Sequence, residues 1–145
     1  MAAARAKIFA FACIDPRFRR ALEKFIEEKF NLGSTEYDIK TDAGGVNELC
    51  KPGILSDWML KNAELAYNQH GTRLFVLCNH MGCSYYRLQH GELTEGTETE
   101  LHKIDLVHAA KILMARLPGI AVMSYVVHKE ERPSEKFVFE RVPIT

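Results

Sequence analysis

The runs AKIFAFA (6–12) and TRLFVLC (72–78) are apolar at every position after Lys7 and Arg73. A strand that shows one face to water alternates polar with apolar residues, so an unbroken run this short belongs to a strand covered on both faces, as in parallel sheets. Such strands require helices above and below, and the intervening sequence supplies them. Phe18, Ala21, Leu22, Phe25 and Ile26 fall on one helical stripe and predict a helix ending near 31–33. A second helix carries Trp58, Met59, Ala63, Ala66 and Tyr67, with Ser56 as its N-cap and Gly71 as its stop. A third follows the capping-box spacing of Thr97 and Glu100, shows Leu106, Ala109, Ala110, Leu113 and Leu117 on one stripe, and closes at Pro118 and Gly119. YDIKT (37–41) and IAVMSYVV (120–127) read as further strands, and EKFVFERV (135–142) alternates as a half-exposed edge strand does.

Strands alternating with helices imply right-handed crossovers. The expected fold is α/β, one domain over residues 1–145, with a mainly parallel four-stranded sheet, a C-terminal edge strand, and helices on both faces. The 19 basic residues cancel the 19 acidic ones, which leaves no cationic excess for nucleic acid. No apolar stretch reaches the roughly 18–20 residues that span a bilayer. The N-terminal run is cut short by Asp15 without a cleavage-like tail, so it reads as strand and not as signal peptide. A cytoplasmic location with four reduced cysteines is the expectation.

In sheets of this kind ligands bind beyond the carboxyl ends of the strands. That is where the unusual residues lie: CIDPR (13–17) after the first strand, DAGG (42–45) after the second, NHMGC (79–83) after the third. Cys13, His80 and Cys83 offer two thiolates and one imidazole, a three-ligand set that zinc accepts with a fourth position left open for chemistry. The glycines of DAGG permit a tight turn or close backbone approach. Asp15 and Arg17 read equally as a helix cap with a solvated partner. A second mechanism fits the same strand end, because Cys13 and Arg19 have the Cys-x5-Arg spacing of a phosphatase loop. Pro16 lacks the amide such a loop needs, and the charge of Asp15 repels phosphate.

The three motifs in this order and spacing resemble the beta-class carbonic anhydrases, which carry Cys-x-Asp-x-Arg, an Ala-Gly turn and His-x-x-Cys after successive strands. The resemblance runs from Ala6 to about Val142. It implies zinc as cofactor, with Cys13, His80 and Cys83 as ligands. The implied activity is reversible hydration of carbon dioxide to bicarbonate through a zinc-bound hydroxide. Asp15 would orient that hydroxide, Arg17 would keep Asp15 from swinging onto the metal as it does in some resting forms, and the backbone of Ala43, Gly44 and Gly45 would shape the pocket. It also implies a homodimer or a higher multiple. Where the family has Gly before the histidine and after the second cysteine, this chain has Asn79 and Ser84, the latter followed by Tyr85 and Tyr86. Asp42 replaces the usual Asn, Pro16 the usual Ser or Ala, and almost nothing precedes the first strand in this sequence, where the family typically carries a helical arm. These departures leave two further readings: a zinc-binding relative without the activity, and a hydrolase of carbon disulfide or carbonyl sulfide.

The remaining candidates read more plainly. Cys78 ends a buried strand and Cys50 sits in a loop. His90, His102, His108 and His128 lack ligand spacing, His70 ends a helix where a cation suits the dipole, and Trp58 is assigned to core or interface packing.

Overall fold

Both unbroken apolar runs become interior strands of one sheet. The computed structural model describes residues 4–130 and 136–144. Its strands are β1 (Ile8–Cys13), β2 (Tyr37–Asp42), β3 (Leu74–His80), β4 (Ala121–Lys129) and β5 (Phe137–Val142), in the order β2-β1-β3-β4-β5. The first four run parallel, and β5 pairs antiparallel with β4 at the edge. This is the expected α/β architecture. Of the edge strand read from the sequence, Glu135 lies outside the described residues.

Successive residues of β1 point to opposite faces, and each face has its own core. Phe9 and Phe11, with Phe75 and Leu77 of β3, pack against Met59 and Ala63 of α2 (Ile54–Leu65) and Leu106, Ala110 and Leu113 of α4 (Glu95–Arg116). Ile8 and Ala10, with Val76 and Cys78, pack against Phe18, Leu22 and Ile26 of α1 (Pro16–Phe30). A fourth helix, α3 (Ser84–His90), follows β3 and was not expected from the sequence.

Three local readings change. Gly53, not Ser56, is the N-cap of α2; Ser56 lies inside the first turn, where its hydroxyl donates to the Leu49 carbonyl at 2.9 Å. Thr94 caps α4, its hydroxyl accepting from the Thr97 amide at 3.2 Å, so the Thr97–Glu100 pair sits one turn in. Of the two readings of Trp58, core packing falls and interface packing is left: it is 57% exposed, because Met59, Leu60 and Ala63 take the inward face of α2. The helix continues through a π turn (Ala66–His70) to Gly71, as expected.

The face of β3 under α4 holds a buried polar network. The Asn79 amide group donates to the Tyr86 hydroxyl at 2.8 Å and to His102 Nδ1 at 3.1 Å, while its oxygen accepts the Val46 N–H at 3.1 Å. His102 Nε2 faces Glu98 Oε2 at 3.0 Å. A carboxylate only accepts, so Nε2 carries the proton and Nδ1 is free to receive Asn79, which makes the imidazole neutral. Burial pushes His102 the same way, below its ordinary pKa.

Two expectations follow from this packing. The unfolded chain protonates His102 near pH 6.5 while the folded chain resists, so the stability due to this group is present above about pH 6.5 and is lost as pH falls, by at most about 1.4 kcal/mol per pH unit. Urea midpoints at about pH 8 and about pH 5 should therefore fall further for the wild type than for His102→Gln; parallel profiles would refute it. A Cβ on Gly45, at φ 65°, would lie 2.3 Å from Asn79 Oδ1 and 2.9 Å from the Cys78 carbonyl, whereas one on Gly119, at φ 77°, meets nothing within 4 Å. Gly119→Ala should cost about 1 kcal/mol from backbone strain alone. For Gly45→Ala, overpacking raises the cost to about 2–4 kcal/mol, read from the same denaturation curves.

Candidate metal centre

Parallel pairing of β1 with β3 brings Phe11 level with Leu77, and pairing of β1 with β2 brings Cys13 level with Asp42. CIDPR therefore emerges between DAGG and NHMGC. His80 is the last residue of β3 and Cys83 the N-cap of α3, with Gly82 at φ 72° turning the chain between them. One ligand atom from each of Cys13, His80 and Cys83 can be chosen so that all lie within 4.8 Å of one another. The two sulfurs are 4.0 Å apart.

The state of these donors fits a cation. His80 Nδ1 donates to the Met81 carbonyl at 2.9 Å, so in the neutral ring Nε2 carries the lone pair; that nitrogen is buried and has no hydrogen-bond partner. The Phe18 ring stacks on the imidazole with centroids 4.1 Å apart and fixes its plane. A hydrogen bond from Cys83 lowers the Cys13 thiol to about 4, while Cys83, sharing that bond as donor, is pushed up. A thiolate, a second thiol and an unsatisfied imidazole nitrogen in one spot are the donor set of a soft-to-borderline divalent ion.

Asp15 caps its helix and pairs with Arg17, the geometry that both readings call for. It is the N-cap of α1, with Oδ1 accepting the Arg17 amide at 3.0 Å ahead of Pro16 in the first turn. The Arg17 guanidinium also grips it, Nε to Oδ1 at 3.0 Å and Nη2 to Oδ2 at 2.6 Å. Those bonds hold the carboxyl near 2, well below the usual range. Its Oδ2 stands 3.7 Å from His80 Nε2, beside the ligand atoms but outside their cluster.

A cleft of about 810 Å³ opens over this point, lined by Cys13, Asp15, Arg17, Ala43, Gly44 and Tyr85 among others. Ala43 and Gly44 form its wall, and Gly45 lies behind them against Asn79. Asp42 is not in the ligand cluster; Lys40 pairs with it at 3.2 Å. Cys78 is buried in the core, and Cys50 donates to the Asp105 carbonyl at 3.2 Å with its thiol raised to about 12 by burial. Arg19 Nε is bound to Glu23 at 2.8 Å. One participant escaped the sequence reading: Glu98 of α4, whose carboxylate accepts the Gly82 amide at 2.7 Å, inside the metal loop. A glutamate near the start of a helix reads as a favourable charge on the dipole, and nothing local signals a partner 16 residues upstream.

The sequence matches the protein family described as "Putative carbonic anhydrase" over residues 3–137. No curated protein matches it. Among solved structures, a beta-carbonic anhydrase from Trichomonas vaginalis is 14% identical, with a TM-score of 0.58 over 97% of this chain and 85% of that one. An apo carbon disulfide hydrolase is 17% identical, with a TM-score of 0.53 over 88% and 76% of the two chains. A tetrameric beta-carbonic anhydrase of Sordaria macrospora is 13% identical, with a TM-score of 0.53 over 94% and 81%. At these identities the structures share the fold, and the family match spans nearly the whole sequence. The chain with this fold and these three loops belongs to the carbonic anhydrase family, as a divergent member of its beta class.

Proposed function

We propose that this chain is a zinc lyase that hydrates carbon dioxide reversibly to bicarbonate, with Cys13, His80 and Cys83 holding the ion. One observation supports the reading above all: the orphaned His80 Nε2 and the two sulfurs converge beside a carboxylate already fixed by an arginine. Zinc held there supplies a Lewis acid that brings the pKa of a coordinated water to about 7. Asp15 accepts the proton of the nucleophile in a hydrogen bond and turns its lone pair toward the cleft. Arg17, through the two-point grip on Asp15, stops that carboxylate from rotating into the ligand cluster. The backbone of Ala43 to Gly45 forms and supports the facing wall.

The rim favours a small uncharged substrate. Ile14 and Leu88, 60% and 80% exposed, join Pro16 and Ala43 there, beside the charged Arg17 and Arg87. The apolar part of the rim makes carbon disulfide and carbonyl sulfide the next substrates to test. We place the protein in the cytoplasm, where its four free thiols stay reduced, and as a homodimer or a higher multiple. Exposed Ile54, Trp58 and Leu65 on α2 support such an assembly. No helix among the described residues is long and apolar enough to cross a membrane.

The purified protein should contain about one zinc per chain, and Cys83→Ser should lose it, since a hydroxyl is a far poorer ligand than a thiolate. Asp15→Asn should keep the metal yet lose about 10²-fold or more in carbon dioxide hydration measured by stopped flow. Zinc without hydration of any of the three substrates would leave a metal-binding relative and sink the enzymatic reading; a metal-free protein would sink both.

A further inference from the structure

We propose that Glu98 is a positioning residue of the metal centre, which aims Cys83 by holding the backbone of its loop. The inference rests on the zinc reading above. Three groups converge on one carboxylate oxygen, Glu98 Oε2: the Gly82 amide at 2.7 Å, the Cys83 amide at 3.4 Å and His102 Nε2 at 3.0 Å. The side chain is almost wholly covered. The two amides belong to the turn between β3 and α3, where neither a strand ladder nor a helix supplies an acceptor, and Cys83 has no side-chain cap bond. An unmet buried amide is costly, so the turn takes whatever arrangement keeps both N–H groups on Glu98.

That arrangement sets the metal geometry. Gly82, at φ 72°, is the swivel between His80 and Cys83, and it is the residue Glu98 holds most closely. Fixing its peptide fixes the Cα–Cβ direction of Cys83, and with it the 4.0 Å approach of that sulfur to Cys13. Ligand constellations tolerate only about 0.5 Å of displacement before affinity suffers. The anchor reaches further through His102 and Asn79 to the Val46 amide, so the metal loop and the Ala43–Gly45 turn are tied through one continuous set of buried hydrogen bonds.

Zinc affinity, measured at neutral pH by competition with a chromophoric chelator, tests the role without reference to turnover. Glu98→Ala should weaken binding about 10–100-fold, the range for groups that orient metal ligands. Glu98→Gln, which offers an amide oxygen at the same place, should recover to within a few-fold. In the cobalt-substituted protein the thiolate charge-transfer and ligand-field bands should shift in Glu98→Ala and return in Glu98→Gln. Ser56→Ala, which deletes a buried hydrogen bond away from the loop, should leave affinity and spectrum unchanged. Should Glu98→Ala not fold, Glu98→Asp carries the test: its carboxylate is drawn back by one methylene, and about tenfold weaker zinc binding is expected. Wild-type affinity in Glu98→Ala or Glu98→Asp, or a Glu98→Gln as weak as Glu98→Ala, overturns the proposal while leaving the zinc reading intact. A wild type that binds no zinc overturns both.

Discussion

The parallel hydrogen bonding of β1 to β3 is the constraint on which the rest of the molecule depends. Two strands that share direction and level must end at the same edge, and the residues that follow them must meet there. Cys13 and Cys83 are 70 positions apart, yet their sulfurs are neighbours because the ladder leaves them little choice. The pairing in turn requires both faces of β1 to be dry. Phe9 and Phe11 on one side, Ile8 and Ala10 on the other, make it so. The apolar run that defines the fold is thus also what brings Cys13 to the Cys13–His80–Cys83 cluster.

Much of this was legible in the residues because parallel sheets leave a distinctive trace. Unbroken apolar runs, stripes at helical spacing and three loops rich in polar and glycine residues are enough to locate the strand ends and everything immediately beyond them. What stayed hidden has a common physical cause: it depends on which face of an element is turned inward, or on a partner far along the chain. Trp58 is apolar and helical, but α2 has more apolar residues than its inward face can accommodate, and Trp58 falls outside. Gly53 caps α2 without a side chain, so no capping signature exists to be read. Helix α3 spans seven residues, too few for a periodic stripe to stand out beside the ligand motif. Glu98 and His102 lie within α4, and only the packing of that helix on β3 shows that their targets are Gly82 and Asn79.

The departures from the family pattern form a coherent group. Asn79, in place of the usual glycine, fills the space behind the metal loop, and three of its bonds go to Val46, His102 and Tyr86. Tyr86 also bonds the Asp105 carboxylate, which receives Asn47 at 3.1 Å. Tyr85 covers Gly44, where any larger residue would meet its ring at 2.6 Å. Bulk added at the loop after β3 is answered by small residues kept opposite, and the added polar atoms find partners within the same network. Buried polar groups are tolerated only under that condition.

Asp15 is both the first acceptor of helix α1 and the carboxylate nearest the ligand cluster. A rotation that carried its Oδ1 away from the Arg17 amide would strip the helix of its cap, and losing a cap of this type costs about 1 kcal/mol. The intact cap therefore biases the carboxylate about fivefold toward the arrangement seen here, outside the ligand cluster. Helix stability here acts as a spring that holds the carboxylate off the Cys13–His80–Cys83 cluster.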